Sequence, residues 1–323
     1  FCEAGISAGD ITILQSPDPA SFSQVDPKSA LDRALANQVE LVIHNPAERD
    51  SLAYLASSTE KKPIYLNRVM QDADVVLPVG LLRVESAVAY HGIHGVILPT
   101  YSDAETIARF RAPSNEDSDV QRRRRNQEAS EAARLLGVIS TIQIVPGEGD
   151  SILHVLAGSV EGVLKEGRKL CQSAWQYQVP QPAKLVVAGI EGSATCQTWE
   201  NVARAVASAL KAVDDDGVIA ICSELSTSPG EALQQLATAD DYETALHDIR
   251  RQRSADAIPA SQILRALDHS RIFLLSRLED EVVEELGLAP VSDEKEITRL
   301  SSRFDSCIVL SNAQYAEAIT APH

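Results

Sequence analysis

The chain has 323 residues, 44% of them hydrophobic, and a formal net charge of -17 at pH 7. That length favours two domains with sizeable cores. The negative charge repels phosphate backbones and anionic lipid, which argues against nucleic acid and membrane and leaves a small solute or another protein as partner. The five cysteines (Cys2, Cys171, Cys196, Cys222, Cys307) are scattered without a C-x-x-C pair. Reduced thiols in a cytoplasm are therefore expected, rather than a disulfide framework or structural zinc. No apolar run reaches the roughly 18 residues of a membrane span, and no charged-then-apolar leader opens the chain. Its first residue is Phe1 rather than Met, so the start of the first domain is expected to be truncated.

In chain order, short β-type runs alternate with helical patterns. DITIL (10–14) is followed by a helical pattern at 27–36, ELVIHN (40–45) by one at 49–56, and KPIYLN (62–67) and ADVVLPVG (73–80) come next. This alternation predicts a mostly parallel sheet covered by helices. VAYHGIHGVILPT (88–100) is glycine-spaced and reads as a loop, with a helix following from Asp103 to about Phe110. Residues 112–118 read as a loop, 120–137 as an amphipathic helix stopped by Gly137, 141–158 as a hairpin and 160–175 as a helix. The prolines of VPQPAK (179–184) break the pattern and divide the chain into domains at 1–180 and 181–323. Beyond them come a strand at 184–192, a helix with Val202, Ala205, Val206, Ala209 and Val213 on its apolar face, a turn at DDDG (214–217) and a strand at 218–222. Helices at 229–237, 241–252, 260–267 and 279–287, with strands at 271–276 and 306–310, complete a second α/β unit.

The usual dinucleotide and phosphate-loop fingerprints are absent. GIEGS (189–193) either offers backbone N–H groups to an anion or is an ordinary turn between strand and helix. In HGIHG (91–95), His91 and His94 stand three apart between glycines, able to share a metal with His44 or Glu85 or to act as acid and base, unless they only bond to backbone. The QRRRRN run (121–126) heads a helix that also carries Glu128 and Glu131, so it reads as a solvated face. Ser223, Ser226 and Ser228 lack a G-x-S-x-G elbow, so no hydrolase triad is supported.

Several segments, in order, resemble the nickel-pincer lactate racemase family. EAGISAGDITIL (3–14) resembles its strand leading to a Gly-Thr-His-Arg loop, and LVIHN (41–45) its Asn-His-Asp strand end. KPIYLNRVMQDADVVLPVG (62–80) and GIHGVILPTYSDAETI (92–107) resemble later passages, the second being its glycine-rich loop ending in Leu-Pro. The resemblance implies two α/β domains with an interdomain cleft. It also implies racemisation of 2-hydroxy acids by hydride transfer to a nickel-pincer nucleotide, tethered by a lysine and ligated by a histidine, with two histidines exchanging the hydroxyl proton.

Carried over residue by residue, the resemblance departs from that chemistry. Asp18 falls where one catalytic histidine is expected, Glu85 on or near the other, Arg111 on or near the nickel ligand, and Gly95 on the tethering lysine. No lysine at all lies between Lys62 and Lys165. The substrate-contacting Tyr-Gln-x-x-Lys helix matches TWENVARA (198–205), giving Glu200, Asn201 and Arg204, and an Asp-x-x-x-Arg-type motif would precede Phe1. The expectation is therefore a diverged, lactate racemase-like isomerase or a homologue that no longer catalyses. In either case Glu85, His91, His94, Arg109, Arg111 and Arg204 would line a cleft for a small carboxylate or phosphate. His91, His94, Glu85 and Asp18 are the catalytic candidates, and His91 and His94 the metal candidates. A third possibility is a partner-binding protein that keeps only the fold and shows an apolar patch in place of the cleft.

Overall fold

The computed structural model describes residues 1–16, 26–113, 118–238 and 241–320. In the N-terminal half run β1 (Thr12–Gln15), α1 (Arg33–Ala36), β2 (Glu40–Ile43), β3 (Leu52–Ser57), β4 (Pro63–Asn67), α2 (Arg68–Asp72), β5 (Val79–Leu81), α3 (Ala104–Arg111), α4 (Ser118–Leu135), β6 (Ser140–Pro146), β7 (Ile152–Ser159) and α5 (Val160–Trp175). Then follow β8 (Gln176–Val179), β9 (Ala183–Gly189), α6 (Trp199–Leu210), β10 (Val213–Cys222), α7 (Glu231–Gln234), α8 (Tyr242–Gln252), α9 (Ala257–Leu267), β11 (Arg271–Leu275), α10 (Asp280–Glu285), β12 (Ala289–Val291), α11 (Glu294–Ser301), β13 (Cys307–Leu310) and β14 (Glu317–Thr320).

The architecture is α/β with mostly parallel pairing. One sheet has the order β12-β11-β10-β9-β13, every neighbour parallel. Strands β1 and β2 pair in parallel, β3 and β4 antiparallel, and β6 joins parallel β5 to antiparallel β7. The C-terminal β14 returns to pair with β8.

Two sequence expectations are corrected. Residues 49–56 are not a helix: a short 3-10 turn leads into β3, where Leu52 and Ala53 are buried against β4 and tertiary pairing overrides helical spacing. The DDDG turn is an irregularity inside β10, which runs from Val213 to Val218 while β9 advances only from Ala183 to Leu185. Val213 accordingly belongs to the strand, not to the preceding helix.

Small residues set the packing of the N-terminal half. The face of α4 carries Ala129, Ala132 and Ala133, each at most 1% exposed, against Ile64, Leu66, Ile97, Leu98 and Phe110. Helix α5 buries Val163, Gly167, Cys171 and Trp175 at every fourth position. The larger core of the C-terminal half lies between α6, α8, α9 and the parallel sheet, with Val202, Val206, Ile219, Ile221, Ile249 and Ile263 fully or almost fully buried. At this density each buried leucine-sized side chain contributes roughly 1.5–3 kcal/mol.

Candidate functional site

A cleft of about 290 Å3 opens between the two halves. The N-terminal half supplies Gly80 and Leu81 of β5, the 89–100 loop, Arg111 and Gln143; the C-terminal half supplies Glu200 and the start of α9 at Ala255, Ile258 and Pro259. The loop enters the cleft because the backbone turns left-handed at Ala89 (φ 58°) and Gly92 (φ 73°). A non-glycine residue holds that conformation only when its surroundings impose it.

Of the expected residues, His91, Arg111 and Glu200 line this cleft. His91 packs its ring edge-to-face on Phe110 at 5.1 Å, and its Nδ1 is buried without a hydrogen-bond partner. Burial, reinforced by Arg125, pushes this imidazole down to about 4, so it is neutral at physiological pH. Arg111 ends α3, and its guanidinium makes no hydrogen bond or ion pair with the described residues. Glu200 is half exposed to the cleft and paired with Arg204. Burial works to raise Glu200, but Arg204, Arg83 and Arg111 outweigh it and hold the carboxyl below its ordinary range.

Arg204 does not offer a free fork to a ligand. Its side chain is 9% exposed and donates to Val88 O at 3.0 Å and Asn201 Oδ1 at 2.7 Å besides pairing with Glu200. Asn201 in turn donates to Cys196 O at 2.8 Å. Arg204 and Asn201 thus hold Glu200 in place.

Three other candidates lie outside the cleft, and the expectation that one cavity gathers them is corrected. His94 turns to α4, where its Nδ1 donates to Ser130 Oγ at 3.2 Å while Ser130 donates to Asn126 O. Glu85 is exposed and paired with Arg168, beside a second small cavity of about 40 Å3. Arg109 is bidentate to Glu128 at 2.7 and 2.6 Å and lies over the Phe110 ring. His44 is a buried structural residue: Asn67 Nδ2 donates to Nδ1 at 3.1 Å, leaving Nε2–H to donate to Ser102 O at 2.8 Å. Asp18 lies outside the described residues.

Sequence reasoning missed Gln143, Tyr90 and the start of α9 in the cleft wall, and Arg83 behind it. Gln143 left no usable signal, since Thr141 and Gln143 alternate with Ile142 and Ile144 along β6 as for a polar outer face, whereas the polar pair is the buried one, each at 1% exposure. Arg83 donates to Gln314 O at 3.1 Å and stacks over Tyr315; its guanidinium stays charged although burial and Arg204 lower it.

Lysine-tethered nickel chemistry does not fit these residues. The position matched to the tether, Gly95, does line the cleft, but a Cβ built there would stand 3.2 Å from His91 Cβ. No lysine contributes to the lining, and no group of three histidine, cysteine or carboxylate side chains among the described residues is arranged to hold a metal.

Fold and cleft define a two-lobed α/β protein with a polar pocket between its lobes. Residues 3–118 match the family model of the lactate racemase N-terminal domain. The fold is similar to the lactate racemase apoprotein of Thermoanaerobacterium thermosaccharolyticum, with a TM-score of 0.79 at 16% identity over 97% of this chain and 79% of that one. It is also similar to the crystal structure of a Thermotoga maritima protein, with a TM-score of 0.62 at 12% identity over 88% and 79% of the two chains. No curated protein matches the sequence. Residues 3–118 thus carry a lactate racemase N-terminal-type domain, and the chain as a whole has a lactate racemase-like fold. No helix among the described residues is long and apolar enough to cross a membrane.

Proposed function

We propose that this lactate racemase-like protein binds a small carboxylate in its interlobe cleft without a lysine-tethered cofactor. The observation that carries this reading is the charge balance of the lining. Glu200 is paired with Arg204, and Arg111, which acts on Glu200 only through space, makes no hydrogen bond or ion pair of its own among the described residues on the wall of a pocket in a protein of net charge -17. A half-buried guanidinium with hydrogen-bonding capacity to spare takes a carboxylate as a forked pair. Glu200 and Gln143 stand ready to accept from or donate to a hydroxyl on the same ligand, and Leu81, Ile93, Val96 and Ile258 offer an apolar wall for a short carbon chain.

Binding is favoured over proton transfer because the titratable groups of the cleft are tuned away from neutrality. An effective general base has a pKa near the working pH. His91 is held near 4 and Glu200 below its usual range, so both are weak bases at pH 7.

The test is calorimetric titration with D-lactate, L-lactate and inorganic phosphate. Wild type is expected to bind at least one lactate enantiomer. Arg111→Gln should weaken that binding by about 10- to 100-fold, the equivalent of one hydrogen-bonded charge pair. Equal affinity in the two proteins, or no binding by wild type, contradicts the proposal.

A further inference from the structure

The five-stranded sheet changes winding direction between β9 and β13, the two strands at the reversal of its order. In open parallel sheets, ligands bind in the crevice beyond the carboxyl ends of the strands at such a switch point. Here that crevice is formed by the 190–196 turn after β9 and the 311–315 segment after β13, apart from the cleft described above.

The other lobe reaches its rim. The tip of the β6–β7 hairpin, residues 147–150, lies over its rim, where Asp150 and Ser193 are both exposed, and Gly149 N donates to Asn312 Oδ1 at 2.7 Å. The Asp150 carboxylate accepts from Ser193 N at 2.7 Å and Ser193 Oγ at 3.1 Å, and from Cys196 Sγ at 3.4 Å. Two left-handed glycines allow this approach, Gly149 at φ 57° and Gly192 at φ 109°. A Cβ on Gly192 would stand 2.9 Å from Cys196 Sγ and 3.1 Å from Asp150 Oδ1. At the same turn, Gln314 is 1% exposed, donates Nε2 to Glu191 O at 2.9 Å, and keeps its buried Oε1 without a partner.

A carboxylate seated on a main-chain N–H, a hydroxyl and a thiol has the contacts of a bound oxyanion, and it sits where this sheet topology places ligands. We infer that the 190–196 turn is a small-oxyanion site which Asp150 occupies in cis, and that a free carboxylate or phosphate takes the site when the hairpin tip withdraws. The inference stands independently of what the cleft binds.

Hydrogen exchange of the full chain, read by mass spectrometry over 147–150 and 190–196, tests it. Asp150→Ala should speed exchange in both segments by about tenfold, the loss of one charged hydrogen bond. Acetate or inorganic phosphate, compared separately, should then restore protection at 190–196 in a saturable way, without restoring it at 147–150. Chloride at equal ionic strength should not. In wild type the same anions should speed exchange at the hairpin tip, a readout that needs no substitution. Asp150→Asn should behave as Asp150→Ala. Wild-type protection in Asp150→Asn, or no saturable response to either anion, would overturn the assignment and leave an ordinary interlobe turn.

Discussion

His91 carries a pH dependence that can be measured apart from any ligand. Burial first, then Arg125, holds its native pKa near 4, against an unfolded value of 6.5. Between those values the unfolded chain binds a proton that the native protein refuses, so stability rises with pH across this window. The contribution is fully present above about pH 6.5 and is lost as pH falls through 4. It amounts to about 3 kcal/mol from a shift of this size. Denaturant unfolding at pH 4.5 and 7 should show most of that difference in wild type and a smaller one in His91→Gln. The HGIHG motif made His91 legible as a cleft residue, and Arg111 followed from its place in the family pattern. His94 and Arg109 were not separable from them, because their partners, Ser130 and Glu128, come from a helix that only the tertiary fold brings near.

At the scale of elements, α3 and α4 are joined through one aromatic ring. Phe110 is fully buried, with His91 at its edge and the guanidiniums of Arg109 and Arg125 within 5.1 and 5.9 Å of its centre. Arg125 also donates to the carbonyls of Arg109 and Ala112, closing the end of α3. Phe110→Ala should cost about 3–5 kcal/mol in denaturant unfolding and displace Arg111 with it. A loss below about 1 kcal/mol would mean the ring is not the joint. Gly167 sets how closely α5 approaches β5 and the residues after it, since a Cβ there would stand 2.3 Å from Leu82 Cδ1. Gly167→Ala should therefore destabilise by about 1–3 kcal/mol despite alanine's better helix propensity; a gain in stability would contradict this packing. The QRRRRN run illustrates how far sequence reaches. Its amphipathic helix was readable from spacing, but that Arg125 is a helix-capping residue rather than a solvated one depends on a chain reversal that no local pattern encodes. Strand β6 misleads in the opposite sense, because its polar residues turn inward toward the cleft wall while its isoleucines lie outside.

Across the whole molecule, the 83–90 segment that carries the cleft loop is held by the C-terminal half. Arg83 donates to Gln314 O, Arg204 to Val88 O, and Glu317 accepts from Ser86, from Gln176 at 2.7 Å and from Lys211 at 2.9 Å. Burial works to raise Glu317, yet Ser86, Gln176 and Lys211 hold its carboxyl below the ordinary range. A depressed carboxyl contributes stability above its unfolded pKa and loses it as pH falls through the native value. Glu317→Gln should thus lower stability at pH 7 by about 1–3 kcal/mol and flatten the acid limb of the profile; an unchanged profile would remove Glu317 from the joint. The α/β class and the order of segments were readable in the sequence. The return of β14 to β8 was not, since pairing between strands so far apart in the chain leaves no periodicity to read.

In the function proposed above, a lactate racemase-like fold presents a cleft built for a small anion rather than for a tethered nickel cofactor. Intact mass and nickel content of the purified full chain test it together. The bare polypeptide mass, with nickel well below one per chain, is the result this account predicts. A covalent adduct with about one nickel per chain would contradict it, because Gly95 has no side chain to form the link and some other residue would have to be the tether.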